Sequence, residues 1–262
     1  MKHSFFADPI HIEGNVLFLS DAHLGAAYDV ESPQREESLI QLLNNHKGKI
    51  SHLFLLGDIF DYWFEYKDVV PKGFFRFFNV LYELYLMGVK IYFFAGNHDH
   101  WVKDYFSKEF GCQIFRDQQA FIINGKRCLV GHGDGIGGKQ YKYLILKHIF
   151  SFKPVKVLYG MLHPRQSFAI ARWISKKSRA AHPEEKFEFK GEDEHQTLFA
   201  RQVLESESVN CFIYGHRHLP IEYPLAEQSF LFNTGDWLTH FSYLVFNKED
   251  ASPKLHFYRT NS

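Results

Sequence analysis

The sequence predicts an α/β fold whose strands run straight into polar, chemically active loops. Apolar runs recur, and each stops abruptly at a polar cluster: "NVLFLSDAHLG" (15–25), "ISHLFLLGDIFDYW" (50–63) and "GVKIYFFAGNHDHW" (88–101). Helix-like stretches lie between them. In such sheets ligands sit beyond the carboxyl ends of the strands, where all three clusters fall.

The elements follow in order. Residues 33–46 place Leu39, Leu42 and Leu43 on one helical face. Residues 72–87 place Phe74, Phe77, Phe78, Leu81, Leu84 and Tyr85 at helical spacing. "VKIYFFA" (89–95) is apolar enough to be a buried strand. "QAFIINGKRCLVGHGD" (119–134) predicts a hairpin turning at Asn124-Gly125, and its second strand also ends in a cluster, "GHGD". A basic block follows, read as two or three helices, then a charged connector from Lys186 to Asp193. Residues 194–206 read as helix, and "VNCFIYGHRHLP" (209–220) as another strand with a polar end. "SFLFNTGDW", "SYLVFN" and "KLHFYR" read as closing strands. There is no internal repeat and no low-complexity segment.

A length of 262 residues suits one large domain, or a domain with a sizeable insertion. The 45% hydrophobic and 23% charged content is that of an ordinary globular chain, and 28 Phe and 14 Tyr predict an aromatic core. Cys112, Cys128 and Cys211 are too widely spaced for a disulfide framework or a zinc finger, so a reducing compartment is expected. The opening "MKHSFFADPIHIEGN" lacks the apolar run of a signal peptide, and no stretch approaches the ~20 apolar residues of a membrane span.

The net charge of zero hides an asymmetry. Residues 135–182 hold ten Lys and Arg and no Asp or Glu, which leaves 30 − 10 = 20 basic against 30 acidic residues elsewhere. Such a block wants an anionic partner. Three readings compete: a solvated helical insertion, a nucleic-acid surface on which Tyr141, Tyr143 and Trp173 stack on bases, and an amphipathic lid at a membrane surface. The mixture of large apolar residues with Lys and Arg in "YLILKHIF", "VKVLYGMLH" and "SFAIARWISKKS" favours the lid.

Five strand ends carry Asp21 and His23, Asp58, Asn97 and His98, His132, and His216 and His218. Any one of them alone is an ordinary turn or a hydrogen-bonded histidine. Together they supply the mixed His, Asp and Asn donors that suit Mn, Fe or Zn rather than a purely oxygen-bound ion. Two such ions, ~3.5–4 Å apart, can share one carboxylate and clamp a phosphoryl group.

The ordered set D-x-H, GD, GNHD, GH and GHxH resembles the calcineurin-like metallophosphoesterases, over roughly residues 16–134 and 209–237. The resemblance implies an α+β fold, a four-layer αββα sandwich of mixed sheets. It implies two divalent ions, manganese above all, in a core of residues 1–134 and 183–262. Asp21, His23 and His218 would hold one ion and Asn97, His132 and His216 the other, with Asp58 bridging. His98 would stabilise the transition state or protonate the leaving oxygen, oriented by Asp99. A chain that had lost its metals to become a scaffold would lack ligands, and none is missing.

Within that superfamily the chain is most similar to the UDP-2,3-diacylglucosamine hydrolases of lipid A biosynthesis. "GDIFDYWF", the basic insertion, the R-x6-R-x6-R spacing of Arg165, Arg172 and Arg179, and the late "GDW" (235–237) carry that similarity, whereas His98 stands where better-known members have Arg. The likeness implies pyrophosphate cleavage of the acylated sugar nucleotide to lipid X and UMP. Residues 135–182 would then be a lid over the acyl chains. Tyr141, Lys142, Arg165, Arg172 and Arg179 are the candidate substrate contacts, and among the apolar lid residues Leu144, Ile145, Phe150, Phe168 and Trp173 the candidate acyl contacts. A cytoplasmic enzyme lying peripherally on the inner membrane is expected, with no nucleic-acid partner. The alternative is a phosphoesterase acting on a nucleotide or nucleic-acid phosphodiester.

Overall fold

Side chains alternate in direction along strands buried on both faces, and this sets the layering of the molecule. The computed structural model describes residues 4–26, 32–138, 145, 147–150, 152–181 and 188–259. Tyr141, Lys142 and Leu144 lie outside the described residues, as does the side chain of Arg179.

In chain order the first strands are β1 (Ile10–Ile12), β2 (Val16–Leu19), β3 (His52–Leu55), β4 (Lys90–Phe94), β5 (Gln113–Phe115) and β6 (Gln119–Ile123). β7 (Lys126–Val130), β8 (Cys211–Tyr214), β9 (Pro220–Ala226), β10 (Ser229–Thr234), β11 (Ser242–Phe246) and β12 (Lys254–Phe257) follow. Among the described residues they form two six-stranded mixed sheets, ordered β12-β11-β2-β3-β4-β5 and β1-β6-β7-β8-β10-β9.

On the first sheet, Leu17, Leu19, Leu53, Leu55, Ile91 and Phe93 face the helices α1 (Ser32–His46), α2 (Phe75–Leu86) and α3 (Tyr105–Phe110). Their neighbours Val16, Phe18, Phe54, Tyr92 and Phe94 join Phe121, Val130, Ile213 and Phe232 of the second sheet in a shared core. The second sheet turns Leu129, Phe212 and Leu231 toward α6 (His195–Leu204). The period of two therefore fills both faces of each sheet, and four layers result.

The αββα expectation holds. A single α/β sheet, the reading from alternation alone, does not. A strand between a sheet and helices and a strand between two layers of helices are both buried on both faces, so both read as unbroken apolar runs. The hairpin turns where expected, with Asn124 at φ 50° and Gly125 at φ 78°.

Between β7 and β8 the chain leaves the sandwich. Residues 147–150 are helical, and α4 (Lys153–Gly160) and α5 (Pro164–Ala181) follow. These pack on the loop 61–66 and on Trp101. Trp101 donates its indole N–H to the Phe150 carbonyl at 2.9 Å and its ring lies 4.5 Å from that of Tyr159. Tyr66 and Ser167 share a hydroxyl hydrogen bond, and the Tyr62 and Phe168 rings meet edge-on at 4.8 Å.

Candidate functional site

The loops after β2, β3, β4, β7 and β8 converge at one end of the sandwich. Asp21 N–H donates to the Gly57 carbonyl at 3.1 Å, and His23 N–H to the Asp58 carbonyl at 2.9 Å. Gly215 N–H donates to the His132 carbonyl at 2.9 Å, joining the two loops of the second sheet. The approach is close enough that a Cβ on Gly96 would stand 2.2 Å from Asp58 Oδ1. Eight described non-glycine residues have positive φ, and five of them are here: Asp21, His23, Asp58, His216 and His218. Such backbone costs energy and persists where the surroundings impose it, so the strain marks this end as the site.

Asp21, Asp58, His132 and His218 each have one side-chain atom anchored and another aimed inward. Asp21 Oδ2 accepts from His216 N–H at 2.8 Å and from the Ser20 hydroxyl, while its Oδ1 faces His218 Nε2 at 3.4 Å and His23 Nε2 at 3.9 Å. Asp58 Oδ1 accepts from His98 N–H at 2.8 Å, while its Oδ2 lies 3.5 Å from His132 Nε2 and 3.8 Å from His23 Nε2. His132 Nδ1 donates to the Leu56 carbonyl at 2.7 Å, and His218 Nδ1 to Asp236 at 3.3 Å, which leaves each Nε2 for the centre. Asn97 Oδ1 sits 3.2 Å from His132 Nε2.

Two groups of converging donors result, Asp21–His23–His218 and Asp58–His132–His216. Asp58 Oδ2 stands between them. Asp21 Oδ1 and His23 Nε2 are buried with no hydrogen-bond partner, an expense that a cation between them would remove. The residues therefore fit a pair of divalent ions. In a third group, His23, Asp61 and His98, His98 Nδ1 donates to the Asp61 carbonyl at 2.9 Å, and Asp61 Oδ1 faces His23 Nδ1 at 3.4 Å without a hydrogen bond.

Electrostatics favour the same use. Burial holds His23 and His216 at about 3, so both rings stay neutral with a lone pair to give. Burial pushes Asp58 up, but His132 and His98 outweigh it and keep the carboxylate well below its ordinary value. Asp99 is driven up to about 7 by burial and by the Asp58 charge.

Asp99 requires a correction. It does not orient the His98 ring. Its carboxylate accepts from Gly96 N–H at 2.7 Å and Ile59 N–H at 2.9 Å, tying two strand-end loops together. Asp61 holds His98 instead.

A cleft of about 240 Å³ opens beside Asn97 and His98. Tyr62, Trp101, Phe150, Tyr159, Ala171 and Ile174 give it a largely apolar wall, with Lys147 and His100 among the polar residues. Of the substrate contacts expected from sequence, the two whose side chains are described, Arg165 and Arg172, are not on that wall. Arg165 and Arg172 are exposed, with Arg172 over the Phe168 ring at 5.9 Å. Of the expected acyl contacts, Phe150 lines the cleft, Phe168 packs on Tyr62, and Ile145 and Trp173 are exposed. Lys147, Trp101, Tyr159 and Asp61 were missed, although "GDIFDYWF" and "GNHDHW" contain two of them.

Lys147 also pairs with Asp134 at 2.7 Å, linking the insertion to the "GHGD" loop. Burial pushes Asp134 up, but the charges of His132 and Lys147 prevail and hold it at about 2. A depressed carboxyl contributes stability that is present above its ordinary value near 4 and is lost as pH falls toward 2. In metal-free protein, the stability gap between wild type and Asp134→Asn is expected to shrink by about 1 kcal/mol from pH 5 to pH 3. Urea unfolding at both pH values measures it, and a constant gap contradicts the assignment.

Residues 14–220 match the calcineurin-like phosphoesterase family. A UDP-2,3-diacylglucosamine hydrolase from Porphyromonas gingivalis is 33% identical over 253 residues, covering 90% of this chain and 95% of that protein. One from Vibrio cholerae is 26% identical, covering 95% of this chain and all of the relative. Among solved structures, a phosphoesterase from E. coli covers 94% of this chain at 16% identity with a TM-score of 0.42. With its strand-end motifs inside the matched span and a relative at this identity along nearly its whole length, the chain belongs to the calcineurin-like phosphoesterase family and is a hydrolase.

Proposed function

We propose that the chain hydrolyses the pyrophosphate of UDP-2,3-diacylglucosamine, releasing UMP and the diacylated sugar 1-phosphate. The observation that carries this reading is the apolar cleft beside Asn97 and His98, walled on one side by the insertion. It offers an acyl chain an apolar environment at the edge of a phosphoryl-transfer site. The names of the relatives point to the same substrate.

Asp21, His23 and His218 are assigned to one divalent ion and Asn97, His132 and His216 to the other, with Asp58 shared. When bound, the two ions would neutralise phosphate charge and activate a water. Water supplies the oxygen, the P–O bond of the anhydride breaks, and the leaving phosphate oxygen takes a proton. His98, held through Nδ1 by the Asp61 carbonyl, is assigned to stabilise the charge that develops on the phosphoryl group or to supply that proton. Asp99 is assigned a structural role, keeping the Gly96 and Ile59 loops in register. Manganese is the favoured ion, on the mixed nitrogen and oxygen donor set.

Residues 135–182 are assigned as the lid. Lys147, on the cleft wall and paired with Asp134, is assigned to a substrate phosphate. Arg165 and Arg172 are reassigned from the substrate to the surface, where they lie among exposed Val157, Leu158, Met161, Ile170 and Trp173. That mixture suits an anionic membrane surface, so the protein is read as peripheral on the inner membrane, facing the cytoplasm. No helix among the described residues is long and apolar enough to cross a membrane.

The test compares the diacylated sugar nucleotide with its deacylated analogue, with manganese present. Each buried methylene is worth about 0.8 kcal/mol, so shortening the chains should raise KM progressively. Ile174→Asn should erode the preference for the acylated form. Equal use of both substrates by the wild type defeats the reading and favours a soluble nucleotide or nucleic-acid diester.

A further inference from the structure

One side chain of α5 reaches the strand-end loops directly. Ser175 is buried and donates its hydroxyl to Asp61, 3.3 Å from each carboxylate oxygen. A serine inside a helix commonly returns its hydroxyl to a carbonyl one turn back. Ser175 reaches off the helix instead. Asp61 Oδ1 lies 3.4 Å from His23 Nδ1 and 3.6 Å from His98 Nδ1, and the Asp61 carbonyl accepts from His98 Nδ1 at 2.9 Å. One aspartate thus joins the insertion to a candidate metal ligand and to the histidine beside the cleft.

We propose that Ser175 is a positioning residue: seating α5 fixes the Asp61 carboxylate, and Asp61 in turn fixes the rings of His23 and His98. The proposal rests on the lid reading above. Ser167, Phe168, Ala171, Ile174 and Ser175 fall on one helical face. Ala171 and Ile174 wall the cleft, and Phe168 packs on Tyr62. The two serines at the ends of the stripe bond to the core, Ser167 to Tyr66 and Ser175 to Asp61. The face that contacts an apolar substrate is therefore the face that supplies the Asp61 donor. Partners behind a metal-binding histidine set its ring orientation, so a lifted α5 leaves His23 and His98 less well aimed. A substrate that draws α5 down completes the site it is about to use.

The test uses the full chain and manganese, with Ser175→Ala and Ser175→Thr. Readouts are Mn2+ affinity by calorimetry, and kcat and KM on the diacylated sugar nucleotide and on bis(p-nitrophenyl) phosphate, a small diester that needs no acyl cleft. A hydrogen bond to a charged group is worth enough for Ser175→Ala to lower kcat about tenfold on both substrates. KM for the small diester should not change, and Mn2+ binding should weaken by up to about tenfold. Ser175→Thr keeps the hydroxyl and should restore both. Unchanged Mn2+ affinity and kcat, with only a higher KM for the acylated substrate, would mean that Ser175 merely seals the cleft and would overturn the proposal. So would a loss that Thr fails to restore. If the wild type ignores the acylated sugar nucleotide while small-diester turnover and Mn2+ affinity respond as expected, the substrate assignment fails and the role of Ser175 stands.

Discussion

Asp58→Ala is expected to lower kcat by about four orders of magnitude, the largest effect of any single ligand substitution. Its Oδ2 lies 3.5 Å from His132 Nε2 and 3.8 Å from His23 Nε2, so it serves both donor groups. Its removal would deprive two ions held by these groups of their shared anion, and their mutual repulsion in a buried site would rise. A second loss follows from the other oxygen, since Oδ1 anchors the His98 backbone N–H at 2.8 Å. Metal content by mass spectrometry and turnover at saturating manganese measure the outcome. Fewer than two ions per chain is expected. A variant that kept both ions and near-normal turnover would overturn the shared-carboxylate assignment.

His98→Ala is expected to lower kcat by about 10²–10⁴ while keeping both metals. The ring is committed at Nδ1 to the Asp61 carbonyl, and it belongs to neither of the two donor groups built around Asp58 and Asp21. Its side chain is 20% exposed and borders the cleft, where a phosphoryl group would lie. Its contribution is therefore expected to be to the reacting group and not to the ions. Loss of metal from this variant would sink the role. His98→Arg is informative beside it, because a guanidinium can stabilise phosphoryl charge but is poorly suited to give up a proton. Substantial activity in His98→Arg would favour charge stabilisation over acid catalysis.

The amino-acid sequence by itself determined the strand-end pattern and the donors gathered there. An apolar run followed at once by Asp, Asn or His is a local signal, and the chain must bury the run and turn at the polar residues. Asp21, His23, Asp58, Asn97, His98, His132, His216 and His218 are legible for that reason, and the structure brings all of them to one end of the sandwich. The hairpin at Asn124-Gly125 is legible too, because its backbone requirement is local.

Tertiary structure alone decided which neighbour serves which. Asp99 adjoins His98 in the chain, yet its carboxylate turns to the Gly96 and Ile59 amides, and Asp61, 37 residues away, takes the His98 ring. Asp236 supports His218 from a loop 18 residues on. In the basic insertion, large apolar and cationic residues are mixed along helices whose inward face no local signal fixes. Packing against Tyr62, Tyr66 and Trp101 turned Tyr159, Ala171 and Ser175 inward, set Ile174 at the cleft edge, and left Arg172 and Trp173 in solvent. The division into two sheets was hidden for a related reason. Burial on both faces looks the same in sequence whether the covering layer is helix or strand, so only the assembled layers distinguish them.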